Sequence, residues 1–92
     1  MLIIVTYDVA DSKRLIKIAK IMEDYGTRVQ YSVFEIHADV SILKEMMRRV
    51  SRIMKDEEDS IRIYPLCKNC EGKLEVLGNP VYTAAQPDVV VY

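Results

Sequence analysis

Few side chains in this sequence are equipped for chemistry, and they fall in four places. An apolar run, LIIVTYD, ends on Asp8. Two thiols stand three positions apart in CKNC, at Cys67 and Cys70, and the single histidine is His37. Lysines and arginines recur at helical spacing from Lys13 and again from Lys44. Aspartate is a common turn former, so Asp8 can simply close its strand. A carboxylate at the carboxyl end of a buried strand is also where open sheets tend to keep their chemistry. If two copies met near a two-fold axis, two Asp8 carboxylates would face one divalent cation. Magnesium prefers hard oxygen donors with its other positions left to water, and such a water can be turned on a phosphodiester.

CKNC is a weaker signal. A four-ligand zinc site needs a second such pair or further ligands, and His37 is the one histidine on offer. Two readings stay open: ordinary packing of an adventitious thiol pair, or a function as a redox disulfide or as half of a four-cysteine site shared by two protomers. His37 by itself reads as a surface residue at a strand end. No Ser-His-Asp spacing, glycine-rich phosphate loop or HExxH occurs. Two cysteines also exclude the disulfide framework of small secreted proteins.

The elements that must position these groups follow from periodicity. Residues 2–8 are apolar on both alternating faces, which predicts a central strand. Asp11 or Ser12 caps a helix whose Leu15, Ile18, Ala19, Met22 and Tyr25 share one stripe, and Gly26 is expected to end it in a left-handed cap. Residues 27–38 are rich in β-branched and aromatic types but long for one strand; they read as one strand or as two, with a turn near Gln30–Ser32. Asp39 or Ser41 starts a second helix with Leu43, Met46, Met47, Val50, Ile53 and Met54 on its buried face, ending at the acidic run 56–59. SIRIYPL (60–66) alternates as a strand, with Pro65 marking its end or an edge. A short strand is expected over KLEVL (73–77), then a turn at 78–80 and a terminal strand in DVVVY (88–92).

This order is that of a ferredoxin-like α+β βαββαβ sandwich with an extra C-terminal strand. Residues 1–78 make the domain and 79–92 the extension. Both helices would cover one face of the sheet, leaving the second apolar row of the first strand as an open patch. The simplest cover is a second copy, so a homodimer is expected. No run approaches the ~18 apolar residues of a membrane-spanning helix, and the start lacks the pattern of a signal peptide, so a cytoplasmic protein without a membrane role is expected.

The net charge of −1 would argue against a nucleic-acid partner, but it conceals the arrangement. Lys13, Lys17 and Lys20 lie within about 60 degrees of one another around the first helix, with Arg14 beside them. Lys44, Arg48, Arg52 and Lys55 line the second, with Arg49 at the flank. A solvated helix exterior is the plain reading. A dimer would double the rows into a track for a phosphate backbone, with no sequence-specific readout implied.

Three stretches, YDVADSKR (7–14), RVQYSVFE (28–35) and DSIRIYPL (59–66), resemble in order and spacing the signatures of the CRISPR-associated protein two family, the small subunit of the spacer-acquisition machinery. The resemblance covers about residues 1–78, and DVVVY is similar to that family's closing strand. It implies a ferredoxin-like homodimer with sheets face to face, each closing strand joining the partner's sheet. It implies a metal-dependent endonuclease acting on single-stranded RNA or duplex DNA according to the member, with Mg2+, or Mn2+ in its place. It also implies a complex with the CRISPR integrase, CRISPR-associated protein one, in which the small dimer bridges integrase dimers, supports the DNA backbone and can dispense with its own chemistry. Carried over residue by residue, Asp8 is the catalytic metal ligand, with Tyr7, Arg28, Ser32 and Phe34 as neighbours or supports. Arg14 and Lys17 match the family's basic helix start; with Lys13, Lys20, Arg48 and Arg52 they would contact nucleic acid. The family often has a polar residue where this chain has Tyr31, and a second acid where it has Ser12. Two rival readings are a non-catalytic DNA-bridging adaptor and a toxin-like ribonuclease of the same fold.

Overall fold

The apolar run at the start of the chain becomes an inner strand, flanked on both sides. The computed structural model describes residues 1–75, 77 and 78. In chain order these form β1 (Leu2–Asp8), α1 (Ser12–Glu23), β2 (Gly26–Gln30), β3 (Val33–His37), α2 (Val40–Ser51), β4 (Ser60–Leu66) and the one-turn α3 (Lys68–Glu71). The four strands make one sheet in the order β2-β3-β1-β4, antiparallel at every pairing. That is the expected ferredoxin-like order, with β1 between β3 and β4.

Alternation along β1 decides which face is packed. Ile3, Val5 and Tyr7 point to the helices and are buried, joined there by Phe34 and Ile36 of β3, Ile18 and Met22 of α1, and Met46 and Val50 of α2. Each such side chain contributes roughly 1.5–3 kcal/mol by leaving water, so this cluster carries most of the driving force. The helices start where their aspartates allow. The Asp11 carboxylate accepts from the Arg14 amide at 3.0 Å, and the Asp39 carboxylate from the Ile42 amide at 2.9 Å. Each satisfies a donor that has no partner inside its helix.

Residues 27–38 resolve into β2 and β3, joined by a tight turn at Tyr31–Ser32. The register shifts between Arg28 and Gln30, a bulge that stands in for a glycine turn in bending the hairpin. Pro65 sits within β4, at the edge of the described sheet, where a missing N–H breaks no ladder.

Two expected elements change. Gly26 is not a left-handed cap: Asp24 ends α1, Gly26 opens β2, and positive φ occurs among the described residues only at Gly78. A glycine is needed at 26 for a different reason. A Cβ there would run into the Glu35 carbonyl and approach Ile36 Cγ1 at 2.6 Å, because β3 passes so close. The strand expected over 73–77 is not formed by the residues described there, which follow α3 with no ladder partner of their own. The terminal strand in DVVVY lies outside the described residues.

The open face also differs from the continuous apolar patch expected. Leu2 is buried within the chain, while Ile4 and Thr6 are half-buried. Ile4 is flanked by Glu35 and Tyr64, and Thr6 by Val33 and Arg62, so apolar and charged side chains alternate across this face.

Candidate active site at the end of β1

Asp8 is the last residue of β1 and pairs laterally with Ser60, the first of β4. It lies on the open face, exposed, and among the described residues its carboxylate has no hydrogen bond or ion pair. The fold places it on the rim of two depressions. A polar recess of about 250 Å³ is lined by Thr6, Tyr7, Asp8, Ser60, Arg62 and Tyr64. A cleft of about 470 Å³ runs between α1 and the β2–β3 turn, past Val9, Ile16, Lys20 and Ser32.

The donors near Asp8 are all oxygens. Among the described residues no group of three His, Cys, Asp or Glu that could hold an ion occurs, so within one chain Asp8 is not part of such a cluster. One carboxylate with the Ser60 and Thr6 hydroxyls close by on the same face suits magnesium, which takes one or two carboxylates and retains water.

Tyr7, Arg28 and Phe34 gather behind Asp8 on the helix side. The Tyr7 ring stacks on Phe34 with centroids 6.1 Å apart, and the Arg28 guanidinium lies 5.5 Å from the Phe34 centroid. The Tyr7 hydroxyl donates to the Tyr31 carbonyl at 3.3 Å. Burial pushes its phenol above the ordinary tyrosine range, partly opposed by Arg28. Ser32 accepts from the Tyr7 amide through its own carbonyl at 3.1 Å, extending the β1–β3 ladder. These four residues brace the end of β1 from behind.

Arg14 has a different task from the one its spacing suggested. Its Nε lies 2.9 Å from Asp59 Oδ2, and its Nη2 lies 3.1 Å from both Asp59 Oδ1 and Glu58 Oε1. The side chain is 15% exposed, whereas that of Asp59 is fully covered. One residue is 100 degrees of helix, and that rotation carries Arg14 away from Lys13 and toward the turn before β4. The paired guanidinium holds the Asp59 carboxyl well below the usual carboxylate range, helped by the Lys55 and Ala10 amides. Sequence reading missed Asp59 because it closes an acidic run that resembles solvated charge. Its place immediately before a strand in DSIRIYPL was the available signal.

Arg49 is likewise engaged, donating to the Tyr25 hydroxyl and to Asp24 at 3.0 Å each and tying α2 to the end of α1. Lys13, Lys17, Lys20, Arg48 and Arg52 are exposed and make no ion pair among the described residues. Cys67, Cys70 and His37 stand at the opposite end of the sheet from Asp8. Both cysteines are free and exposed, and His37 Nδ1 lies 3.8 Å from Glu71 Oε1.

Comparison with known proteins identifies the fold's relatives. Residues 1–74 match the family described as CRISPR associated protein Cas2. The chain is 39% identical over 90 residues to the CRISPR-associated endoribonuclease Cas2 3 of Synechocystis sp., covering 98% of each. It is 42% identical to the CRISPR-associated endonuclease Cas2 of Halalkalibacterium halodurans, covering 85% of this chain and 86% of that one. The crystal structure of Streptococcus pyogenes Cas2 superposes with a TM-score of 0.74 at 41% identity, covering 85% of this chain and all of the other. The order of strands, the likeness to a solved Cas2 and the match over four-fifths of the sequence lead to one conclusion: the chain belongs to the CRISPR-associated Cas2 family.

Proposed function

We propose that this protein is a metal-dependent phosphodiesterase of CRISPR adaptation, working as a homodimer at paired Asp8 residues. The observation that carries this reading is the Asp8 carboxylate: exposed, unpaired among the described residues, and fixed at the end of an inner strand. Relatives named as endoribonuclease and endonuclease support the reaction class. Ile4, Thr6 and Asp8 share one face, so two copies packed across it about a two-fold axis near the end of β1 would bring the carboxylates together. A magnesium or manganese ion bound there would supply a polarised water and neutralise charge on the phosphate. Asp8 holds that ion, while Tyr7 and Phe34 keep the strand end from shifting. Ser60 and Thr6 offer hydroxyls to the water shell.

Backbone binding falls to Lys13, Lys17, Lys20, Arg48 and Arg52, and Arg14 is left out because Asp59 and Glu58 occupy it. The same surface would suit a complex with the integrase on DNA. The test places highly purified wild-type and Asp8→Asn protein side by side on single-stranded RNA and duplex DNA, with and without chelator. Cleavage by wild type alone, abolished by chelator, supports the proposal, and the preferred nucleic acid names the substrate. Equal cleavage by both proteins refutes it. No cleavage by either favours the non-catalytic bridging adaptor.

A further inference from the structure

We propose that Asp59 is the positioning residue for Asp8: by tying Ala10 and Arg14 to the turn before β4, it sets where the end of β1 stands. The inference rests on the reading of Asp8 as a cation ligand. Asp59 Oδ1 accepts from the Ala10 amide at 3.0 Å and Arg14 Nη2 at 3.1 Å. Asp59 Oδ2 accepts from Arg14 Nε at 2.9 Å and the Lys55 amide at 2.8 Å. Four donors fill the acceptor capacity of a carboxylate, leaving none for a metal or a substrate. Asp59 therefore acts through its neighbours.

Those neighbours bracket Asp8. Ala10 follows it by two residues in the β1–α1 turn, and Ser60, next to Asp59, is its lateral partner on β4. Arg14 carries the constraint into the first turn of α1, and the Lys55 amide carries it to the segment leaving α2. One buried side chain thus locks both sides of the strand end whose carboxylate is proposed to hold the ion. The Arg14 fork is bidentate, a geometry lysine cannot reproduce. Asparagine at 59 would keep the volume but offer one acceptor oxygen, and its NH2 would face donors.

The test is a manganese titration of the purified protein without nucleic acid, followed by water-proton relaxation. The proteins are wild type, Asp8→Asn, Asp59→Asn, Arg14→Lys and Ile36→Ala. Ile36 pairs with Ile3 toward the other end of β1, so its truncation lowers stability without touching the turn. Asp59 does not touch Asp8 itself, so Asp59→Asn is expected to weaken manganese binding by about 10-fold, the low end of the range for groups bonded directly to a metal ligand. Arg14→Lys, which retains charge, should show a smaller loss, and Ile36→Ala should bind as wild type does. If Asp59→Asn does not fold, Arg14→Lys decides. Wild-type affinity in the Asp59 and Arg14 variants, or an equal loss in Ile36→Ala, overturns the inference and leaves Asp8 as ligand. Identical binding by wild type and Asp8→Asn overturns both.

Discussion

Two turns meet at the end of β1, each beside an aspartate, and the fold treats the two carboxylates in opposite ways. Asp59, before β4, is buried and receives four hydrogen bonds from three residues. Asp8, at the start of the β1–α1 turn, is exposed and receives none among the described residues. A buried carboxylate is tolerated only when its lone pairs are filled. An exposed one left free on a rigid strand end is available for an ion. Residue type says little here; the number of donors aimed at each carboxylate separates the one that is satisfied within the fold from the one left open to solvent.

Phe34→Ala empties the fully buried centre behind Asp8 and should cost about 3–5 kcal/mol, measured by urea unfolding. It sets the scale for damage that reaches the site through the core.

Acid is the next lever. The folded Asp59 carboxyl titrates below its unfolded value, so its stabilising contribution is complete above the ordinary carboxylate range near pH ~4 and is lost as pH falls through that range toward the folded value. The melting temperature of wild type should therefore drop below about pH 4, and the drop should be shallower in Asp59→Asn. Matching acid limbs in the two proteins would remove Asp59 from its structural role.

A third aspartate sharpens the contrast at smaller amplitude. Asp39 makes one cap bond at the surface, and Asp39→Ala should cost about 1 kcal/mol with no change in metal affinity. The basic rows provide the mildest perturbation of the fold. Changing Lys13, Lys17 and Lys20 to alanine should flatten the salt dependence of duplex binding by about 2 to 3 units, at roughly 0.9 per phosphate contact. Arg14→Gln, which removes the charge, should leave that slope unchanged, because Arg14 is engaged with Asp59 and Glu58.

Much of this architecture was legible in the sequence. Periodicity located α1, α2 and the strands around them, although α2 ends at Ser51, short of the acidic run; of the two cap candidates at each helix start, Asp11 and Asp39 are the ones used. The strand order followed from the alternation of elements. What stayed hidden depends on contacts between distant segments. Arg14 looked like one more surface cation, since nothing local shows that residue 59 lies against it. Gly26 looked like a helix terminator, and its real constraint is the closeness of β3. The open face read as apolar from β1 alone, and Glu35 and Arg62 join it only once β3 and β4 are laid alongside.

The central claim is that Asp8 serves chemistry and not the fold. The most direct measurement records melting temperature and magnesium-dependent cleavage on the same preparations of wild type and Asp8→Asn. The account predicts melting temperatures within about 2 °C of each other, as befits a surface substitution worth less than ~0.5 kcal/mol, with cleavage lost in the variant. Retained cleavage, or a variant that melts many degrees below wild type, would contradict it.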